Sequence, residues 1–132
     1  MEISYQSGII PDTTAITALY DDAGLKRPTS DNARITRMYA NSNLVITAWH
    51  DGKLVGVSRS LTDFCYCCYL SDLAVAKAYQ ARGIGKRLIE LTKEHIGAQT
   101  TLILLSAPTA TEYYPKVGFQ KIENGFLIPR AT

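Results

Sequence analysis

The sequence predicts a mixed α/β domain, a mostly antiparallel sheet with helices on its faces, in a single unit over residues 1–132. Three observations predict it. Two strand-like runs, in "NLVITAWHDGKLVGVSRSL", flank Asp51-Gly52, a strong short-range hairpin signal. Helical apolar spacing over residues 12–23 and 83–96 stops at Gly24 and Gly97. A continuous apolar run, "TTLILLSA", follows the later helix, as a strand buried on both faces would.

Each element has its own signal. "EISYQS" alternates and reads as the first strand. After Pro11, Asp12 or Thr13 can cap a helix whose apolar stripe is Ile16, Leu19, Tyr20 and Ala23. "LKRPTS" is a loop, and Ser30 or Asp31 caps a second helix with Ile35, Met38 and Tyr39 inward. The Asp51-Gly52 hairpin comes next, then the aromatic and apolar strand "CYCCYLSDLAV". The helix over 83–96 carries Ile84, Leu88, Leu91 and His95 on one face. "TATEYYPKV" reads as a short helix interrupted by Pro115 and ended by Gly118. "FQKI" and "GFLIP" read as a last hairpin across Asn124-Gly125. The order is β-α-α-β-β-β-α-β-α-β-β, about seven strands and about four helices.

Composition narrows the function. Hydrophobic residues make up 46% and charged residues 20%, the balance of a soluble globular chain. No apolar run approaches the ~20 residues of a membrane helix, and "MEISYQSGII" lacks the basic and apolar regions of a signal peptide, so a cytoplasmic location is expected. A net charge of +2 is too small to argue for nucleic acid or an anionic membrane. Cys65, Cys67 and Cys68 form an odd cluster, which argues against a disulfide framework. A metal site would need a second cluster, and only His50 and His95 stand elsewhere, so no metal is expected.

The stretch "YLSDLAVAKAYQARGIGKRLIEL" poses a charge problem. Arg82, Lys86 and Arg87 crowd the start of a helix, where the macrodipole disfavours cations. A Walker A loop fails, because Gln80 stands where its first glycine belongs and Arg87 follows Lys86. A dinucleotide fingerprint fails at Leu88, where its third glycine belongs. A strand, a turn and a helix N-terminus suffice for a third reading. Free N–H groups from about Ala81 to Lys86 converge on a diphosphate, glycines let the backbone approach it, and Arg82 and Lys86 add charge. A solvated basic helix start is the plain alternative.

"LAVAKAYQARGIGKRL" resembles motif A of the GCN5-related N-acetyltransferase (GNAT) family, with Gln80, Gly83 and Gly85 at the signature positions after a Leu-x-Val strand. "YYPKVGF" is similar to the family's Tyr-x-x-x-Gly-Phe, at Tyr114, Gly118 and Phe119. The order of elements agrees over nearly the whole chain, and the layout resembles compact bacterial and plastid-type members.

The resemblance implies the GNAT fold and transfer of an acetyl group from acetyl-CoA to a primary amine by direct attack in a ternary complex. It implies that Leu73, Ala74 and Val75 pair with the pantetheine arm like an added strand. A backbone N–H near Val75 would then steady the oxyanion. Gln80, Ala81, Arg82, Gly83, Ile84, Gly85 and Lys86 would hold the diphosphate. It also implies Tyr114 as the acid that protonates the leaving thiolate; core packing beside Tyr113 and Phe119 is its other reading.

The general base is less direct. Where relatives carry Glu or His, this chain has Tyr69 and Ser71, neither a base at neutral pH. A water chain to Asp72 or Asp63 is the catalytic expectation, with a structural hydrogen bond as the alternative for Asp72. Tyr20, Arg59 and Asp63 are expected on the acceptor side, Arg59 binding an acidic group, orienting Asp63, or facing solvent. The family's acceptor segments correspond to Gly24–Ser30 and Ile122–Phe126. A small amine such as an arylalkylamine or a polyamine is the expected acceptor, with aminoglycosides, amino sugars and protein N-termini or lysines open. A silent CoA-binding module, an enzyme of another class holding a nucleotide phosphate, and a homodimer formed by analogy with small relatives also stay open.

Overall fold

Asp51 and Gly52 both take positive φ, 50° and 76°, the geometry of the tight turn whose twist matches two antiparallel strands. They join β2 (Leu44–His50) to β3 (Lys53–Thr62). The computed structural model describes residues 1–132. Before this hairpin come β1 (Ser4–Ser7), α1 (Thr13–Ala23) and α2 (Asn32–Ala40); after it come β4 (Cys67–Val75), α3 (Ile84–Ile96), β5 (Thr101–Ile103) and α4 (Tyr113–Lys116). The sheet runs β1-β2-β3-β4-β5. Its first three pairings are antiparallel, and β5 lies parallel to β4 after the α3 crossover.

β3 is the central strand, buried from Leu54 to Ser60. On one side α3 packs closely because Gly56 has no side chain: a Cβ there would stand 3.2 Å from both Ile84 and Leu88. On the other side α1 contributes Ile16, Leu19 and Tyr20, and α2 contributes Ile35 and Tyr39. The α2 cap is Asp31, whose carboxylate accepts from the Arg34 N–H at 3.1 Å. The α1 helix ends at Gly24 in the left-handed conformation.

Several expectations need correction. The buried stripe of α3 is Ile84, Leu88, Thr92 and Ile96, while His95 is exposed and bonds the Leu91 carbonyl. Steps of four residues keep these side chains on one face. β5 is not buried on both faces: it spans only Thr101–Ile103, with Thr101 and Ile103 exposed and Leu102 half-buried between them. The sheet has five strands, not seven. Residues 119–132 form no hairpin, and beyond Phe119 every residue is exposed with no backbone–backbone hydrogen bond. Two short runs across Asn124-Gly125 make at best a marginal hairpin, and a three-residue β5 gives them little edge to join.

Candidate active site

The glycine turn begins where β4 ends. The Ala76 N–H still bonds the Val55 carbonyl, and a single 3-10 turn over Lys77–Tyr79 leads to Gln80. Ala81 and Gly83 then take positive φ, 63° and 83°, reversing the chain into α3. Its first helical hydrogen bond runs from the Arg87 N–H to the Gly83 carbonyl, so the N–H groups of Ala81 through Lys86 have no acceptor within the protein. Arg82 and Lys86 are exposed beside them, and neither forms a salt bridge. These are the donors and charges that an anion would use. Gly85 is needed for a close approach: a Cβ there would stand 2.9 Å from the Tyr113 hydroxyl.

β4 is bonded unevenly along its two edges. It pairs with β3 from Cys68 to Val75, but with β5 only at Cys67, Cys68 and Tyr69. The register with β3 slips between Arg59 and Ser60, leaving Ser71 as an extra residue, and such a bulge bends and twists its strand. From Leu70 onward the outer edge of β4 has no strand partner. A cleft of about 310 Å³ opens there. Leu73, Ala74, Val75 and Gln80 line it together with Tyr114. The Gln80 side chain donates to the Val75 carbonyl at 2.9 Å, bracing the turn against the strand end.

Tyr114 is held by sequence-local packing. Pro115 lies in the first turn of α4, where a missing N–H costs nothing. The Phe119 N–H returns to the Tyr114 carbonyl at 3.1 Å. The Tyr114 ring meets Tyr113 and Phe119 edge-on, with centroids 5.2 and 5.5 Å away. Burial, and then the neighbouring Tyr113, raise the Tyr114 hydroxyl above the ordinary phenol range, so it keeps its proton at neutral pH. No group of three or more His, Cys, Asp or Glu is placed to hold a metal ion.

The other expected site residues lie elsewhere. Asp72 is wholly buried and its carboxylate is fully engaged. Oδ1 accepts from Arg27 at 2.6 Å and Ser71 at 3.1 Å; Oδ2 accepts from Arg59 at 2.6 Å and Tyr20 at 2.7 Å. Burial alone would raise this carboxyl, but the Arg59 hydrogen bond and the Arg59 and Arg27 charges hold it below the usual range. It is therefore a poor proton acceptor, and the expectation of a base is corrected to a structural hub. Tyr20 is likewise fully buried, bonded to Tyr39 and Asp72, and out of reach of a substrate. Arg59 is 7% exposed, spent on Asp72, Ser42 and Ser71 and stacked over Tyr39.

Asp63 caps the turn before β4, accepting from the N–H groups of Cys65, Tyr66 and Cys67. Those bonds hold its carboxyl well below the usual range and remove it as a base. The same turn makes β4 start at Cys67 rather than Cys65. Sequence reasoning carried Arg27 only as part of the acceptor segment Gly24–Ser30 and gave it no role of its own. Arg27 lines the cleft from the loop after α1 and bonds the Ser71 carbonyl and Asp72, 45 positions away; no local pattern announces such a pairing.

Residues 17–127 match the acetyltransferase (GNAT) domain family. The chain is 27% identical to a soybean (Glycine max) protein named probable acetyltransferase TAP2, over 94% of this chain and 54% of that one. It is 28% identical to histone acetyltransferase TAP1 of the same plant, over 94% and 58%. It thus spans a little over half of each relative's length. Among solved structures, a probable acetyltransferase of unknown function from meticillin-resistant Staphylococcus aureus superposes with a TM-score of 0.84 at 22% identity, covering 98% of this chain and 100% of that one. An aminoglycoside N-acetyltransferase in complex with CoA superposes at 0.73 and 15% identity, covering 99% and 96%. The structural likenesses speak to fold. The family match begins inside α1 and runs through the glycine turn and past Tyr114 to Leu127, taking in most of what shapes the cleft, and the chain belongs to the GNAT family of acetyltransferases.

Proposed function

We propose that the protein is an acetyl-CoA-dependent N-acetyltransferase acting on the primary amine of a small molecule by direct attack in a ternary complex. The observation that carries this reading is one continuous cleft that joins Gln80 and the unpaired edge of β4 to Tyr114. The N–H groups of Ala81–Lys86, with Arg82 and Lys86, hold the diphosphate. Leu73, Ala74 and Val75 offer main-chain groups to the pantetheine arm. Acetyl-CoA supplies the activated acetyl group. The amine nitrogen forms the new C–N bond, the C–S bond breaks, and Tyr114 gives its proton to the departing sulfur while the amine loses one to water. CoA in the solved aminoglycoside enzyme of the same fold supports the choice of donor.

Thermal shift and thiol release test the reading. Acetyl-CoA and CoA should stabilise the protein and ATP and NAD should not. Tyr114→Phe should lower turnover by about 10²-fold or more, the usual weight of a general acid, with acetyl-CoA affinity unchanged. Full turnover in that variant would remove Tyr114 from the chemistry. A silent CoA-binding module is the second reading, favoured by the lack of any Asp, Glu or His in the cleft lining; it requires binding without thiol release. A homodimer is supported by the exposed Phe126, Leu127 and Ile128, and sedimentation checks it.

A further inference from the structure

We infer that the acceptor amine carries a carboxylate of its own, as an apolar α-amino acid does, and that Arg27 receives it; this rests on the acetyl-transfer reading above. The charge of the cleft is the first reason. Arg27 is the one charged residue that lines it. Behind it, Asp72 is a single carboxylate shared by two guanidiniums, Arg27 and Arg59. Two positive groups against one negative leave the wall with a surplus positive charge.

Arg27 also has capacity to spare. A guanidinium carries five N–H donors. Three have acceptors here, on Asp72, the Lys26 carbonyl and the Ser71 carbonyl. The side chain is 26% exposed, so the remaining donors can bind a carboxylate without leaving Asp72. Much of the remaining lining is apolar, with Leu25, Leu70, Leu104 and Leu105 suited to an aliphatic or aromatic side chain.

The same surplus charge works against polycations. A polyamine or an aminoglycoside would bring several positive charges to a wall that offers none of the opposite sign. Likeness in fold to an aminoglycoside enzyme therefore does not extend to its acceptor.

The test is a thiol-release panel on the intact protein with saturating acetyl-CoA: phenylalanine, leucine and methionine, the amide of each, phenethylamine, spermidine and neamine. At least one acid should exceed its amide, and phenylalanine its decarboxylated analogue, by about tenfold or more in kcat/KM, mainly through KM. Spermidine and neamine should give no release above background. Arg27→Gln should cut the acid-to-amide ratio by about tenfold with acetyl-CoA affinity unchanged, and Arg27→Lys should restore part of it. Equal or better turnover of the amides, phenethylamine or polycations overturns the inference while acetyl transfer stands. An unchanged ratio in a folded Arg27→Gln protein also overturns it. Binding of acetyl-CoA with no release from any amine overturns the transfer reading and this inference together. The wild-type ratios decide even if Arg27→Gln does not fold.

Discussion

Asp72 shows how much one buried carboxylate can organise. It ties α1 through Tyr20, the following loop through Arg27 and the central strand through Arg59. Removing its charge leaves two guanidiniums facing a neutral amide, so Asp72→Asn should cost about 3–5 kcal/mol in urea unfolding. Its folded-state pKa lies below the unfolded value, near 3.9. Its contribution is therefore complete above about pH 5 and lost as pH falls through the folded value. Asp63 is shifted in the same direction, so the part of the acid-induced fall in Tm that disappears in Asp72→Asn belongs to this network. Gly85 offers a second residue-scale measurement. Gly85→Ala brings a Cβ against the Tyr113 hydroxyl, and Tyr113→Phe removes that oxygen. In the Tyr113→Phe background, Gly85→Ala should be neutral or gain up to about 1 kcal/mol of helix propensity. In the wild-type background it should be worse, and additivity in the cycle would show that the hydroxyl is not the obstacle.

At the scale of elements, the turn into α3 and the unequal edges of β4 make the cofactor side of the cleft. Gly83 sits at φ 83° with open space around its missing Cβ, so a side chain there meets backbone strain rather than a clash. Left-handed backbone costs an L-residue about 1–2 kcal/mol. Gly83→Asp adds a negative charge beside the free N–H groups, and it should abolish the thermal stabilisation by CoA at saturating ligand while the protein still melts cooperatively. Retained stabilisation would place the diphosphate elsewhere. The turn was legible because its signals are local: glycines at two positions, cations where the dipole opposes them, and an apolar stripe starting at Ile84. The bulge at Ser71 was not legible, since it depends on how β4 registers against β3. The stripe of α3 was misread at its far end, where Leu91 packs half-buried against the core but His95 is exposed and Thr92 and Ile96 are buried instead; sequence alone does not reveal that the Thr92 hydroxyl finds Ser58 at 3.0 Å.

For the whole molecule, residues 120–132 are the segment least tied to the rest. The one hydrogen bond recorded for them is from Arg34 to the Thr132 carbonyl at 3.1 Å. Ending the chain at Phe119 should therefore shift the Tm of the dilute protein by less than about 3 °C, since exposed positions contribute about ±0.5 kcal/mol. A much larger drop would mean that Phe126 and Ile128 pack somewhere, as the expected hairpin would have required. The same truncation should leave a monomer in sedimentation if the arm joins two copies. The sequence by itself determined the hairpin at Asp51-Gly52, the Asp31 cap of α2, the glycine stops of the helices, the glycine turn and the place of Tyr114 in its motif. These are set by φ preferences, helix-end chemistry and periodicity over a few residues. Only the tertiary structure decided that Asp72 is a bonded hub and not a base, that Arg27 lines the cleft, and that the last hairpin does not join the sheet. A carboxylate's role depends on which cations fold against it, and a strand exists only where another strand offers an edge.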